Sequence, residues 1–300
     1  MRALRTAAAA SILLLAASAC SGAAGGGGPR ANRESGPPSP RHEISARDFD
    51  PSRFHHSTVI DNVWLPMQPG MRYVWEGRAN DGDARVSRRV VFTVTDLTKV
   101  VDGVRTVVIL DQDFTAGYLE ENEIAFFAQD DEGNVWHFGQ YPEEYSRQGK
   151  LKSAPAWIAG LRGARPGISM KATPRLGTPS YAQGWGPKVH WNDRARVYRM
   201  GLSTCVPVRC YHNVLVTDEF SRDEPGAHQL KYYAAGVGNV RVGWRGSNEE
   251  EQEVLALIRV VRLDPSAFRQ VRTSVLAEEE RAYQASKDLY GRTPPAHVSS

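Results

Sequence analysis

The stretch VSRRVVFTVT, residues 86–95, decides the fold because apolar and polar side chains alternate along it. The apolar residues that share one side of the extended chain are Val86, Val90, Phe92 and Val94. Hydrophobicity with a period of two residues is typical of a half-buried β-strand. The dipeptide Asp102-Gly103 follows, and it favours a tight turn into a second strand over residues 105–114.

The same pattern recurs along most of the chain. Further predicted strands cover residues 123–129, 135–138, 197–202, 208–220, 228–233, 237–244 and 253–263. The segment Asp130–Asn134 contains a glycine and has the length of a hairpin loop, so we expect a turn there. Since strand follows strand with no long helix between them, the sequence predicts a mainly β fold. We expect a single curved antiparallel sheet, half-barrel-like, with one sheltered concave face.

A helix is predicted only near the C-terminus, after Pro265. Ser274 can cap a helix over residues 275–290, Glu278 favours its early turns, and Gly291 ends it. We expect this helix to pack on the outside of the sheet; the alternative is a helix that binds a partner.

The composition is that of a globular protein. The 300 residues are 41% hydrophobic and 24% charged, which provides enough apolar material for a core and excludes a disordered or fibrous chain. The formal charge of +3 falls to +1 if Arg2 and Arg5 are removed with an N-terminal targeting segment. So small a charge does not support nucleic-acid binding.

The N-terminus has the form of a secretory signal peptide over residues 1–19. Two arginines precede the eleven-residue apolar run Ala7–Ala17, and small side chains follow up to Cys20. Eleven helical residues rise roughly 16 Å, well short of the roughly 30 Å hydrocarbon core of a bilayer. The segment is therefore predicted to target the chain rather than to span a membrane.

Cys20 stands where bacterial lipoproteins carry a lipidated cysteine that becomes the new N-terminus. We expect fatty acids such as palmitate on Cys20 and an extracytoplasmic chain anchored to the bacterial cell membrane; the alternative is ordinary cleavage near Ala19. Residues 20–48 are rich in Gly and Pro and predict a flexible tether with a reach of roughly 30 Å. The predicted β domain occupies residues 49–264, and the C-terminal helix and tail occupy residues 265–300.

The other two cysteines, Cys205 and Cys210, enclose four residues. An oxidising compartment favours a disulfide between them, which would pin a local turn. The alternatives are a two-thiolate metal site or a redox pair. Four intervening residues match neither the CxxC spacing nor a complete zinc ligand set.

Four stretches resemble a known family. They are residues 60–66 (IDNVWLP), 128–139 (AQDDEGNVWHFG), 166–168 (PGI) and 231–238 (KYYAAGVG). Together they resemble a family of uncharacterised bacterial secreted and lipid-anchored proteins with the signatures AQDxxGNVWxFG and KYYAxGVGxV. The resemblance covers about residues 61–245 and implies a β-rich domain of the cell envelope; it implies no particular activity.

Charge is segregated in the middle of the chain. Residues 111–146 contain ten acidic residues and no Lys or Arg, whereas residues 147–200 carry eleven basic residues against Asp193. The interpretation we favour is that the two segments neutralise each other across the sheet. The alternative is that the basic segment faces anionic lipid head groups or an anionic polymer of the envelope.

The basic segment also contains Trp157, Trp185 and Trp191 among prolines and glycines. Aromatic side chains in such a connection can line a ligand groove or plug the open edge of a curved sheet, and we favour the plug. If a pocket exists, these three tryptophans are the candidates for its wall.

Two pairs of carboxylates are each spaced two residues apart in the chain. Asp111 and Asp113 share one face of a strand, as do Glu121 and Glu123, so an acidic quartet that binds a hard cation such as calcium is geometrically possible. We favour solvated residues at a sheet edge instead. Apart from this quartet, the sequence predicts no catalytic, metal or cofactor site, because it contains no HExxH, no GxSxG and no complete dinucleotide fingerprint.

The sequence thus predicts a lipid-anchored, non-catalytic envelope protein. Its curved sheet would bind an apolar or amphipathic ligand, or dock a partner. The alternatives are a structural or adaptor lipoprotein with a filled core, and a hydrolase whose site no motif reveals.

Overall fold

The computed structural model describes residues 44–299, which form one antiparallel sheet with helices near the C-terminus. The predicted mainly β class is confirmed. The strands of this part of the chain are β1 (Met71–Asp81), β2 (Ala84–Val101), β3 (Val104–Thr115), β4 (Tyr118–Gln129), β5 (Val135–Tyr145), β6 (Leu151–Ser153), β7 (Trp157–Ile158), β8 (Arg165–Met170), β9 (Tyr181–Ala182), β10 (Gly184–Trp185), β11 (Arg194–Val206), β12 (Arg209–Phe220), β13 (His228–Ala234), β14 (Gly238–Arg245), β15 (Val254–Arg262) and β16 (His297–Val298). The helices are α1 (Pro265–Ala285) and α2 (Lys287–Tyr290), and short 3-10 turns lie at Ala46–Asp48 and Pro51–Arg53.

The sheet is curled so that its two edge strands lie close together without pairing. The strand order is β10-β8-β5-β4-β3-β2-β1-β15-β14-β13-β12-β11-β9, so the edge strands are β10 and β9. These two strands are consecutive in the chain and only Gln183 separates them. Since two residues of extended chain span at most about 7 Å, the opposite edges of the sheet must lie close together. The sheet is not closed by hydrogen bonds between β9 and β10, yet it encloses an interior.

Strand register separates the two faces of the sheet. Directly paired residues of antiparallel strands project to the same face. The inner face carries the row Tyr73, Phe92, Asp111 and Glu123, which are paired in that order from β1 to β4. The outer face carries Leu110 and its partner Ile124.

Helix α1 covers the outer face of β2 to β5. Val271, Val275 and Ala282 of this helix are buried in a core that includes Leu110 and Phe126 of the sheet. The predicted packing of the C-terminal helix on the outside of the sheet is confirmed. Burying each of the two valine side chains contributes about 1.5–3 kcal/mol.

The predicted start of this helix is wrong by ten residues. The carboxylate of Asp264 accepts hydrogen bonds from the backbone N–H groups of Ser266 and Ala267, at 2.8 and 2.9 Å, and Pro265 occupies the first turn. Ser274 instead lies inside α1 and donates to the carbonyl of Gln270. Asp at the cap followed by Pro is a stronger start signal than an isolated serine, because both satisfy the free end of the helix.

Strand β1 was not among the predicted strands. Its sequence, MRYVWEGRAND, breaks the alternation with three adjacent apolar residues, Tyr73, Val74 and Trp75, and with Gly77. The strand pairs with β2 on one side and β15 on the other, so its neighbours specify it more than its own pattern does.

The predicted turn at residues 130–134 is confirmed. The Asp130 carboxylate accepts hydrogen bonds from the backbone N–H groups of Glu132 and Asn134 and from the indole N–H of Trp136.

Within residues 44–299, no helix combines the length and the apolar character needed to cross a bilayer.

Candidate ligand-binding site

Four carboxylates lie together on the inner face of the sheet. Asp111 of β3 pairs directly with Glu123 of β4, and Asp113 pairs with Glu121. We call these four residues the acidic quartet. Their exposed fractions are 9%, 1%, 6% and 8%, in the order named.

The interpretation of the quartet as solvated edge residues is therefore wrong. Strands β3 and β4 are interior strands of the sheet, flanked by β2 and β5, and the curl of the sheet shelters their inner face. Alternation along the strand correctly placed the four side chains on one face, but it carries no information on whether that face meets water.

Burial raises the pKa of three of these carboxylates. Burial, followed by the nearby Asp113 carboxylate, raises the pKa of Asp111 to about 7. The same two causes raise the pKa of Glu121 to about 8. Burial, together with Glu121 and Asp111, raises the pKa of Glu123 well above its ordinary value. These three acids can therefore both donate and accept hydrogen bonds near neutral pH.

One member of the quartet has a cationic partner. The Arg88 guanidinium lies 3.5 Å from Asp113 and 3.2 Å from Glu253, and it also contacts Glu120. Arg88 is thus shared among several acids, and Asp111 and Glu123 lie two rows away from it on the same face.

Strands β12 and β13 supply the opposite wall of the interior. The Lys231 ammonium contacts the Glu219 carboxylate at 2.8 Å. Burial lowers the pKa of Lys231, but Glu219 outweighs this effect and raises the pKa above its ordinary value, with Asp111 contributing in the same direction. The charge of Lys231 thus acts on Asp111 across the interior, although more than one hundred residues separate them in the chain.

Several polar atoms in this interior lack a hydrogen-bond partner among residues 44–299. They are Oδ1 of Asp111, Oδ1 of Asp113, both carboxylate oxygens of Glu123, Oε1 of Gln140 and the hydroxyl of Tyr181. Gln140 pairs with Ala125 of β4 and so lies on the same face as the quartet. Tyr181 of β9 pairs with Ala195, which pairs with Glu219 on the opposite wall. Buried polar groups are nearly always satisfied, so this concentration of unsatisfied atoms marks a place where a ligand can supply the missing partners.

Aromatic side chains share the inner face with the acids. Tyr73 and Trp75 stack with their ring centres 5.9 Å apart, and Phe92 contacts Tyr73. Phe92 pairs directly with Asp111. Apolar and acidic surfaces therefore adjoin, which suits a ligand with both characters.

Two of the three predicted tryptophans lie beside this interior. The ring centres of Trp157 and Trp191 are 4.9 Å apart, and both rings contact His137 edge to face. Trp157 pairs with Gln140 on the inner face, and its indole N–H lacks a partner among the described residues. Burial lowers the pKa of His137 to about 3, so this imidazole is neutral at physiological pH.

Trp185 is not part of this aromatic group. A side chain at Gly184 would lie 2.6 Å from Trp157 and Trp191, and one at Gly186 would lie 2.7 Å from Trp157. The glycines on either side thus face the tryptophan pair, and alternation along β10 turns Trp185 away, where it is 45% exposed.

Cys205 and Cys210 form a disulfide, as predicted. The two cysteines are directly paired where β11 turns into β12. Their bond closes the end of this hairpin. Cys20 lies outside the described residues.

Mutual neutralisation of the two charged segments is wrong for several of the acids. Glu143 pairs with Arg281 of α1 at 2.6 Å, and Asp113 and Glu120 pair with Arg88 of β2. The reason is topological: β2 and α1, not the basic segment, lie next to these carboxylates.

No group of His, Cys, Asp or Glu side chains within residues 44–299 has an arrangement that could hold a metal ion. The acidic quartet is included in this finding. Sequence reasoning missed Arg88, Lys231 and Glu219. Arg88 and Glu219 look like ordinary surface residues of alternating strands. Lys231 is the first residue of the KYYAAGVG stretch, but that stretch carries no sign that its ammonium group faces the interior.

No family model matches the chain, and no curated protein matches it. Among solved structures, the chain is similar to a protein from Bacteroides fragilis, provisionally described as exported and as having a YmcC-like fold. The identity is 12% and the TM-score 0.38, over 67% of this chain and 99% of that chain. It is similar also to a protein from Parabacteroides distasonis, provisionally described as a lipoprotein, with 10% identity and a TM-score of 0.38 over 67% of this chain and all of that chain. The fold assignment rests on the strand register described above.

Proposed function

We propose that this chain is a lipid-anchored protein of the bacterial cell envelope that binds an amphipathic ligand on the inner face of its curled sheet. The anchor is a diacylated Cys20, and the ligand carries a cationic or hydrogen-bond-donating group beside an apolar part. Binding, rather than catalysis, is the function. The proposed membership in the family of secreted and lipid-anchored proteins agrees with this role.

The observation that carries the proposal is the set of unpartnered atoms in the acidic quartet. Both carboxylate oxygens of Glu123 are buried without a hydrogen bond from any described residue. Leaving such a group unsatisfied costs about 1–3 kcal/mol, and an ammonium or hydroxyl group of a ligand would recover that free energy. Phe92, which shares a row with Asp111, offers the apolar part of the ligand a surface.

Native mass spectrometry of the protein purified from its own envelope tests the binding. We expect wild-type protein to retain a small molecule, and Glu123→Gln to lose it because the amide, unlike the carboxyl group, cannot ionise to pair with a cationic group of the ligand. Glu280→Gln is the matched control: it makes the same chemical change on the exposed side of α1. A bare mass for the wild type in several mild detergents would contradict ligand binding and support the alternative of an adaptor with a filled interior.

The anchor is tested separately with Cys20→Ala. This substitution leaves Ala17-Ser18-Ala19, a site that ordinary signal peptidase accepts. We expect the variant to be exported, to lose its bound fatty acid and to leave the membrane fraction. Membrane retention equal to that of the wild type would contradict anchoring through Cys20.

A hydrolase remains the second candidate because Asp111 and Glu121, with pKa values of about 7 and about 8, can hold or release a proton near neutral pH. If the retained molecule were a cleaved product and Glu121→Gln accumulated the intact compound, the hydrolase would be favoured over the binding protein.

A further inference from the structure

A second concave surface lies on the outer face, away from the acidic quartet. It is a groove of about 730 Å³ on strands β1, β2 and β15. Its floor contains Val74 and Val91, which are directly paired and 3% and 7% exposed. Val261 and Phe114 add further apolar surface. This volume lies within the range of about 300–1,000 Å³ that small-molecule sites occupy.

Four arginines line the groove; Arg88 is paired with acids of the sheet, and the other three surround the apolar floor. Arg259 pairs directly with Val74, and Arg72 pairs with Val261, so both lie on the outer face. Arg89 is contributed by β2, next to these strands. Burial, followed by the neighbouring Arg259 and Arg89 guanidinium groups, lowers the pKa of Arg72.

The existing partners do not balance these charges. Arg72 donates a hydrogen bond from Nε to the neutral hydroxyl of Thr93, at 3.0 Å. Glu76 lies 3.5 Å from Arg89, but both side chains are about half exposed, and exposed pairs of this kind contribute little. Three cations against one carboxylate leave the groove positive, and an anion placed among the guanidinium groups would relieve their repulsion.

We propose that this groove binds one acidic phospholipid, with its phosphate among Arg72, Arg89 and Arg259 and an acyl chain along the valine floor. Guanidinium groups match the geometry of phosphate oxygens, and several of them can share one phosphate. The partly exposed apolar side chains of Val261 and Phe114 favour a lipid over a polar anion such as a nucleic acid, whose bases and sugars would leave them exposed to water. The choice of a phospholipid rests on the membrane location proposed above, whereas the arginine cluster is independent of it.

The test uses the full mature chain in its exported, unlipidated form, Cys20→Ala. Isothermal titration is carried out with a monomeric short-chain phosphatidylglycerol and with a phosphatidylcholine of the same chain length. We expect the acidic lipid to bind about tenfold more tightly or better, and its affinity to fall as salt is added. Arg89→Gln, which alters an exposed side chain, and Arg72→Gln are each expected to weaken binding by about tenfold, the loss typical of a charge-assisted hydrogen bond.

Arg78→Gln is the matched control. Arg78 is an exposed arginine of β1, the strand that also carries Arg72, and it does not line the groove. We expect it to bind the acidic lipid as the parent does, and circular dichroism should show that all variants are folded. Equal affinity for the two lipids, or an equal loss in Arg78→Gln, would overturn the proposal. Inorganic phosphate that bound as tightly as the lipid would overturn the assignment to a phospholipid. The membrane fractionation of Cys20→Ala and the ligand retention of Glu123→Gln are measured in separate experiments. A negative result for lipid binding in the groove is therefore distinguishable from a failure of the proposed function.

Discussion

The sheet buries charge on both of its faces, and two of the buried clusters differ in whether their groups have partners. On the outer face, the ammonium of Lys99 is fully buried beneath α1 and donates to Glu279 at 2.7 Å, to the hydroxyl of Tyr283 at 3.2 Å and to the carbonyl of Pro294 at 2.6 Å. The Glu279 carboxylate also accepts the backbone N–H of Ala296. On the inner face, the acidic quartet holds four carboxylates and leaves several oxygens without partners.

The contrast separates a structural cluster from a binding site. Lys99 and its partners satisfy one another, so this cluster joins α1 and the C-terminal tail to the sheet. The acidic quartet has similar burial, but only Asp113 has a cationic partner, Arg88, and the quartet lies in an interior rather than under a helix. A buried polar group that has no hydrogen-bond partner within the protein is available to a ligand.

Breaking the satisfied cluster is expected to have the largest effect. Lys99→Met removes the cation and leaves the Glu279 carboxylate buried, which costs about 3–5 kcal/mol. Urea denaturation would show this as a lower free energy of unfolding, and retention of the inner-face ligand should be unchanged in the folded protein.

The double variant Lys99→Met with Glu279→Leu sharpens this test. It removes both charges, and we expect it to recover most of the lost stability because an apolar pair can replace a buried ion pair. A loss below about 1 kcal/mol in Lys99→Met would show that the cluster is not the structural contact described above.

The unsatisfied quartet is expected to respond in the opposite direction. Glu123→Gln removes one of four crowded carboxylates, so we expect it to stabilise the protein at pH 8 by on the order of 2 kcal/mol while ligand retention is lost. Thermal denaturation at several pH values measures the effect.

The pH dependence follows from the raised pKa values. Between the ordinary values near 4 and the folded-state values of about 7 for Asp111 and about 8 for Glu121, the folded protein holds protons that the unfolded chain releases. Stability should therefore fall as pH rises through this window and become constant above it, with a shallower fall in Glu123→Gln. Stability that rose from pH 5 to pH 8 would contradict the account of the quartet.

The smallest effect is expected at Trp185. Because this side chain is 45% exposed and turned away from Trp157 and Trp191, Trp185→Ala should change the free energy of unfolding by no more than about 0.5 kcal/mol. Ligand retention should equal that of the wild type. A loss of ligand in this variant would mean that Trp185, too, covers the inner-face site.

Much of the fold was predictable because strand signals are local. The alternation in residues 86–95, the Asp102-Gly103 turn and the later hairpins all appear where they were expected. The start of α1 was missed because Asp264 and Pro265 had to be read together, and β1 was missed because its neighbours, not its own pattern, specify it.

The candidate site was predictable only in part. Alternation placed the acidic quartet on one face, and composition drew attention to Trp157 and Trp191. Neither alternation nor composition could reveal that Trp185 points away from Trp157 and Trp191. Its orientation depends on Gly184 and Gly186, which lie against the tryptophan pair in the folded protein.

The sequence alone determined the strand pattern, the turns and the disulfide between Cys205 and Cys210, because each depends on residues close together in the chain. The tertiary structure alone decided that the acidic quartet is buried and that Lys231 faces Asp111 from the opposite wall. A period of two residues says which side chains share a face, but only the curl of the whole sheet, completed at Gln183, decides which face becomes the interior.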